Sequence, residues 1–400
     1  MLDQIWLSAM SLAISLAFIR FATKEDYGAY LILLTPLSLV QGIQNALILS
    51  PIATVLPGAS KSEAAVVHST AVASLTAFVV VAAVISAIGL SIYQWTEFGT
   101  LQPTLILGFS LAVAGIGARE GARTLCYAKG MAWVALRSDL IYGGGLLAGI
   151  LALCYFTILS PENALLATAI AALWTYAFRL RHLGALEMDP VVLRKFWACG
   201  KWAIGGVLVT WVNLSAYPLV VGAALGSDAV AEINVARLFL VPVALAIAAW
   251  SNVCRPKISG WMAQGMQSEI ENVSVRSIRL GLVMLAIAAA LLLLAYPSIE
   301  PHLGGAYRGL RPIVILWVIF FALNLARSVF MATLMTTAAD YKRLQAASWV
   351  ALIVALPGLA LLSSLGSIWV VGVLVAAEAV HLLMIRGPVI RRWKGAAVVL

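Results

Sequence analysis

Long apolar runs, separated by short polar segments, follow one another along the whole chain. Each run is close to or above the roughly 20 residues that an α-helix needs to cross the hydrocarbon core of a bilayer. We therefore expect an all-α polytopic membrane protein with about twelve transmembrane helices. They are predicted at residues 5–21, 28–56, 65–92, 103–125, 138–159, 163–180, 198–225, 229–253, 278–298, 311–336, 344–363 and 367–386.

Composition favours lipid over water as the solvent of these helices. The chain is 62% hydrophobic and 11% charged, whereas about 25% of the residues of an average soluble domain are charged. No segment between the apolar runs is long enough to form a domain of its own, so we expect any function to reside in the helices and their ends. Four cysteines lie in or beside apolar runs without metal-type spacing, which predicts no disulfide, metal site or cofactor: Cys126, Cys154, Cys199 and Cys254.

The distribution of basic residues predicts the orientation. If the N-terminus is cytoplasmic, nineteen of the 26 Lys and Arg residues fall in the inner loops and the C-terminal tail, and only four fall at the outer side. This positive-inside bias places both termini in the cytoplasm. It also accounts for most of the net charge of +9, so we favour a membrane origin of that charge over nucleic-acid binding.

Two short motifs recur in the second half of the chain, at offsets of about 206 and 208 residues. Equivalent helices run in the same direction, because six spans separate them, and parallel repeats of this kind are common in transporters. The repeat predicts two six-helix lobes around a central cavity, with residues 1–190 in the first lobe and residues 191–400, including a short basic cytoplasmic tail, in the second. The matched motifs are Leu34-Thr35-Pro36 with Leu240-Val241-Pro242, and Ala118-Arg119 with Ala326-Arg327.

Arginines within or beside the spans are the first candidate functional residues. An ionisable residue at membrane depth costs at least roughly 2.5–3.5 kcal/mol, so each needs a physical reason. A group of guanidinium side chains attracts anions, and the planar fork suits a phosphate or diphosphate. The alternatives are structural ion pairs, such as Glu120 with Arg123, and snorkelling to the membrane surface. The candidates for a cationic, substrate-binding cavity are Arg20, Arg119, Arg123, Arg237 and Arg327.

Other polar residues in the spans suggest two further roles. Glu378 and His381 are three residues apart on one helix face and are candidates for proton coupling, with a packed intrahelical hydrogen bond as the alternative. Amide side chains could bind sugars, although each could equally join two helices by a hydrogen bond. The candidate sugar contacts are Gln41, Asn45, Asn213 and Asn324.

Two segments carry a family resemblance. The first is the turn after the first span, Ile19-Arg20-Phe21-Ala22-Thr23-Lys24-Glu25-Asp26-Tyr27-Gly28-Ala29-Tyr30. It resembles the first inter-helix turn of the polysaccharide-unit flippases of the multidrug, oligosaccharidyl-lipid and polysaccharide exporter superfamily. The second, from Tyr296-Pro297 to Gly304-Gly305-Ala306-Tyr307, resembles the matching stretch of the second lobe. With the repeat, the resemblance covers essentially the whole chain.

The resemblance implies a transporter that works by alternating access, and not an enzyme. The implied cargo is an anionic undecaprenyl-diphosphate-linked oligosaccharide. It would move from the cytoplasmic to the outer leaflet of the bacterial inner membrane during surface polysaccharide (exopolysaccharide) biosynthesis. The implied partners are the lipid bilayer and a counter-ion, H+ or Na+, and we expect a monomer. Cationic cavity residues are characteristic of such flippases, and Arg20 is the candidate that lies within a family motif.

Two alternatives remain open at this stage. A drug or organic-cation antiporter of the same superfamily would need open carboxylates in the membrane, and the spans contain few. A membrane-embedded polysaccharide polymerase or ligase would need catalytic residues at one membrane face, usually on a sizeable loop. The predicted outer loops are short and carry no paired carboxylates.

Overall fold

The computed structural model describes residues 2–56, 60–95, 102–180, 187–303, 305–334 and 338–393. Within these residues the chain is almost entirely helical and contains no β-strand. The described helices are α1 Leu2–Phe21, α2 Lys24–Gln44, α3 Ser50–Val55, α4 Lys61–Trp95, α5 Pro103–Ala128, α6 Ala132–Tyr155, α7 Pro161–Leu180, α8 Pro190–Ser215, α9 Tyr217–Leu225, α10 Ser227–Leu238, α11 Val241–Ala263, α12 Gln267–Ile299, α13 Arg311–Leu334, α14 Ala338–Leu362 and α15 Ser367–Trp393.

Every predicted span overlaps one helix or consecutive helices. The second span is α2 and α3 joined by a π-helical segment, Asn45–Leu49. The seventh is α8 followed by α9, and the eighth is α10 and α11, which meet at a bend of 62°. In the described residues, eight helices or continuous helical runs are long and apolar enough to cross a membrane, and the bent pair would make a ninth. The prediction of an all-α polytopic membrane protein is confirmed.

The chain divides into two compact units, Met1–Trp211 and Val212–Leu400. This boundary lies within α8, whereas the sequence repeat suggested residue 190. The reason is that α8 packs on α2 and α3: the Trp211 indole donates to the Ser38 hydroxyl at 2.9 Å, and Phe196 lies in one apolar cluster with Ile52. The predicted basic tail begins as the last turns of α15, and residues 394–400 lie outside the described residues.

The turn between α1 and α2 explains the motif that carries the family resemblance. Thr23 caps α2: its hydroxyl accepts from the Asp26 backbone N–H at 3.0 Å, and the Asp26 carboxylate accepts from the Thr23 hydroxyl at 2.6 Å. Behind this cap, Tyr27 and Tyr30 are buried and stack on Phe18 of α1, with ring centroids 5.7 and 4.6 Å away. The acidic residue therefore caps the start of α2, and the aromatic residues pack the two helices together.

The core of the second unit brings together α11, α12, α13, α14 and α15. Buried aliphatic residues meet where these helices converge, and the Phe330 and Trp393 rings pack edge to face with centroids 5.5 Å apart. Because the cluster draws on five helices, it ties the ends of these helices into one unit. Its most deeply buried members are Ile258, Ile270, Ala332, Leu334, Ile385 and Val389.

Gly200 lies where α8 packs tightly against the π-helical segment of the second span. A Cβ at this position would lie 2.8 Å from the Ala46 carbonyl oxygen and 2.9 Å from the Leu47 Cα, so backbone would have to move. We expect Gly200→Ala to destabilise the protein by about 1–3 kcal/mol. Gly206 on the same helix has open space around it, and Gly206→Ala should be neutral or slightly stabilising. Thermal unfolding of both purified variants tests the contact, and equal midpoints would contradict it.

Candidate functional site

A buried ionic cluster joins α5 and α6 in the first unit. Asp139 is fully buried, and its Oδ1 lies 2.6 Å from Nη2 of Arg119 while its Oδ2 lies 3.0 Å from Nε of Arg123. The Arg119 guanidinium also lies over the Tyr142 ring, 3.9 Å from its centroid. Arg123 extends to the partly exposed Glu120 carboxylate at 3.0 Å. Two guanidinium groups thus face two carboxylates.

Helix periodicity explains how the cluster forms. Arg119 and Arg123 are four residues apart on α5, and Asp139 and Tyr142 are three apart on α6, so each pair shares a helix face. The Trp6 indole of α1 donates to the Asp139 backbone carbonyl at 3.0 Å and fixes this part of α6 from the other side. Sequence reasoning identified both arginines but missed Asp139 and Tyr142. The available signal was an acid at the start of an otherwise apolar span.

A second buried ion pair joins α13 and α15 in the second unit. Nε of Arg327 lies 2.5 Å from Oε1 of Glu378, and both side chains are buried. The Asn324 amide donates to the same oxygen at 3.0 Å, and Nη1 of Arg327 lies 2.8 Å from the Met331 sulfur. His381 is buried one turn after Glu378, and its Nε2 has no hydrogen-bond partner among the described residues. The Glu378 carboxylate thus accepts hydrogen bonds from two side chains of α13, Arg327 and Asn324.

Arg237 lines a cavity of about 310 Å³ in the second unit. It lies in the last turn of α10, just before the bend into α11. In the part of the chain that the structure describes, no ion pair engages it. Asn324 also lines this cavity, so the structure brings together two of the predicted site residues. The remaining lining residues are Val241, Ala244, Trp317, Phe320, Phe321 and Leu374.

Three aromatic side chains of α13 form one wall of this cavity. Trp317, Phe320, Phe321 and Asn324 follow the spacing i, i+3, i+4 and i+7, which places them on one helix face. The Phe320 ring meets the Trp317 ring at 5.1 Å and the Phe321 ring at 5.6 Å, both nearly perpendicular. The Trp317 indole donates to the Ile233 carbonyl at 3.1 Å. Sequence reasoning missed this wall, although the spacing relative to Asn324 was visible.

The other predicted site residues lie on α1, on α2, on the π-helical segment and on α8. Arg20 is exposed in the last turn of α1. Gln41 is half-buried on α2 and Asn45 is exposed at the start of the π-helical segment, where it accepts from the Ser50 hydroxyl at 3.3 Å. Asn213 lies on α8, and its side chain is outside what the structure describes.

Among the described residues, no three His, Cys, Asp or Glu side chains come close enough to bind an ion. Cys126, Cys154 and Cys254 form no disulfide within the described part of the chain.

This chain matches a known protein family in sequence and a known flippase in fold. A family model described as "polysaccharide biosynthesis protein" matches residues 17–312. The structure of the lipid II flippase MurJ in its inward closed conformation matches with a TM-score of 0.79 at 13% identity, covering 98% of this chain and 88% of that chain. No curated protein matches the sequence.

Two transporters of the MOP superfamily have the same fold. An inward-facing multidrug resistance MATE transporter matches with a TM-score of 0.76 at 13% identity, covering 97% of this chain and 96% of that chain. A transporter from Pyrococcus furiosus, described as having a binding pocket of reverse polarity, matches at 0.64 and 13% identity, covering 98% and 94%. The predicted fold class and the resemblance to this superfamily are confirmed.

Proposed function

Because this chain belongs to the polysaccharide biosynthesis protein family, we propose that it flips undecaprenyl-diphosphate-linked oligosaccharides from the cytoplasmic to the outer leaflet. It would do so by alternating access, in the bacterial inner membrane, with both termini in the cytoplasm. The fold that it shares with a lipid II flippase supports a lipid-linked cargo. Transport of such a cargo requires no covalent chemistry from the protein, in keeping with a transporter that is not an enzyme.

The environment of Arg237 is the observation that supports an anionic cargo. The charges of Arg119, Arg123 and Arg327 are offset by buried or partly buried carboxylates, whereas Arg237 faces a cavity without an ion pair in the described part of the chain. An uncompensated guanidinium next to apolar walls attracts an anion strongly, because the local dielectric is lower than that of water. A diphosphate offers the bidentate oxygen pairs that a guanidinium binds best.

The same charges argue against the antiporter alternative. Asp139 and Glu378 are acids at membrane depth, but arginines are bound to both. Neither carboxylate is therefore open to an organic cation. The aromatic wall beside Arg237 would otherwise suit a cation, and the guanidinium repels one. An anionic cargo fits both observations.

Replacement of Arg237 provides the direct test. We expect Arg237→Gln to lower the rate of flipping of a fluorescent undecaprenyl-diphosphate oligosaccharide in proteoliposomes by about 10- to 100-fold, because a charge-assisted hydrogen bond contributes about 1.5–3 kcal/mol. The thermal unfolding midpoint should stay the same, since no ion pair is broken. Arg311→Gln, at an exposed position at the start of α13, is the matched control and should flip normally. Normal flipping by folded Arg237→Gln protein would refute the anionic site.

A further inference from the structure

The size of the Arg237 cavity limits what can enter it. Its volume of about 310 Å³ lies at the small end of the range of roughly 300–1,000 Å³ that holds drug-sized molecules. It can take one ring-sized group, and an oligosaccharide would have to extend beyond it. The occupant must therefore be a single group of the glycolipid that matches the walls.

The aromatic wall offers ring faces and no free polar group. The indole N–H of Trp317 is already bound to the Ile233 carbonyl, and Phe321 is buried. The half-buried Phe320 lines the cavity between them. Aromatic faces carry the negative part of a quadrupole and attract C–H groups that bear partial positive charge. The apolar face of a sugar ring presents such C–H groups.

The polar groups of the cavity complement hydroxyls. Asn324 donates its amide N–H to Glu378, and its carbonyl oxygen has no hydrogen bond among the described residues, so it can accept from a hydroxyl. Arg237 supplies donors. An acyl or prenyl chain in this space would leave both groups unpaired, which costs free energy. Glu378 acts here as a positioning residue, because it orients the Asn324 amide.

We propose that the cavity formed by Arg237, Phe320 and Asn324 binds one sugar ring of the cargo, so that the second unit recognises the glycan as well as the charge. This proposal rests on the function proposed above. The ring would stack on Phe320, donate a hydroxyl hydrogen to Asn324 and accept from Arg237. The cargo would then be selected by a monosaccharide that adjoins or carries an anionic group.

The test compares carriers with and without a sugar. Full-length protein in nanodiscs is titrated with undecaprenyl diphosphate, and with undecaprenyl diphosphate that carries one N-acetylglucosamine, one galactose or one glucose. We expect at least one sugar to raise the affinity about three- to tenfold over the bare carrier, the size of an aromatic stacking contribution. Phe320→Ala should reduce this ratio to nearly one, and Phe320→Tyr should preserve it. Ile319→Ala, an exposed neighbour on α13, is the matched control and should also preserve the ratio.

Each result has a distinct meaning. A sugar preference that Phe320→Ala removes and Phe320→Tyr keeps supports the proposal. A preference that survives in Phe320→Ala, or a wild-type protein that binds the bare carrier as tightly as every sugar-bearing one, overturns the sugar site and leaves the flippase function standing. A wild-type protein that binds none of the four carriers overturns the flippase function and the sugar site together.

Discussion

Asp139→Ala is expected to cost about 3–5 kcal/mol of folding free energy, the loss that follows when one partner of a buried ion pair is removed. The substitution removes the carboxylate that lies against both Arg119 and Arg123, whose side chains are buried or nearly so. An arginine that has lost its counter-charge inside the membrane carries a high free-energy cost. The local packing of α5 on α6 should therefore fail. The measurement is the thermal unfolding midpoint of purified protein, together with the fraction that elutes as a single species.

Two further variants make this prediction specific. Glu120 is about one-third exposed, so Glu120→Ala should cost no more than about 1 kcal/mol, as for other exposed pairs. The double variant Arg119→Met with Asp139→Leu leaves Arg123 paired with Glu120 and should recover most of the loss. If Asp139→Ala were as stable as Glu120→Ala but inactive in flipping, the carboxylate would belong to the transport cycle and not to the scaffold.

The helices themselves were largely predictable, because the length of an apolar run is a local property. Even the interrupted spans were located by their apolar runs: residues 229–253 overlap both α10 and α11. The bend between them was harder to predict, although Pro242 at the second position of α11 marks it. The contacts that place the start of α8 in the first unit are not visible in the sequence, because they depend on which helices α8 packs against.

The candidate site was only half predictable, for a related reason. A single arginine in an apolar run is conspicuous, so Arg119, Arg237 and Arg327 were found. Their partners lie on other helices, and which helices are neighbours is a property of the fold. From the sequence alone, an arginine that is paired with a carboxylate, such as Arg119, cannot be distinguished from one without an ion pair, such as Arg237. The aromatic wall was missed because apolar residues in a membrane span are expected to face lipid.

The Arg327–Glu378 pair distinguishes a structural arginine from a cargo-binding one. We expect Arg327→Met and Glu378→Leu each to destabilise the protein by about 3–5 kcal/mol, because each leaves a buried charge without its partner. The double variant removes both charges and should recover most of that stability. In proteoliposomes it should flip cargo with less than about a tenfold loss, the effect of freeing Asn324 from Glu378. Arg237→Gln is its counterpart, with normal stability and much slower flipping. A stable but inactive double variant would instead show that the Arg327 guanidinium reaches the cargo, and that two arginines of the second unit act on it together.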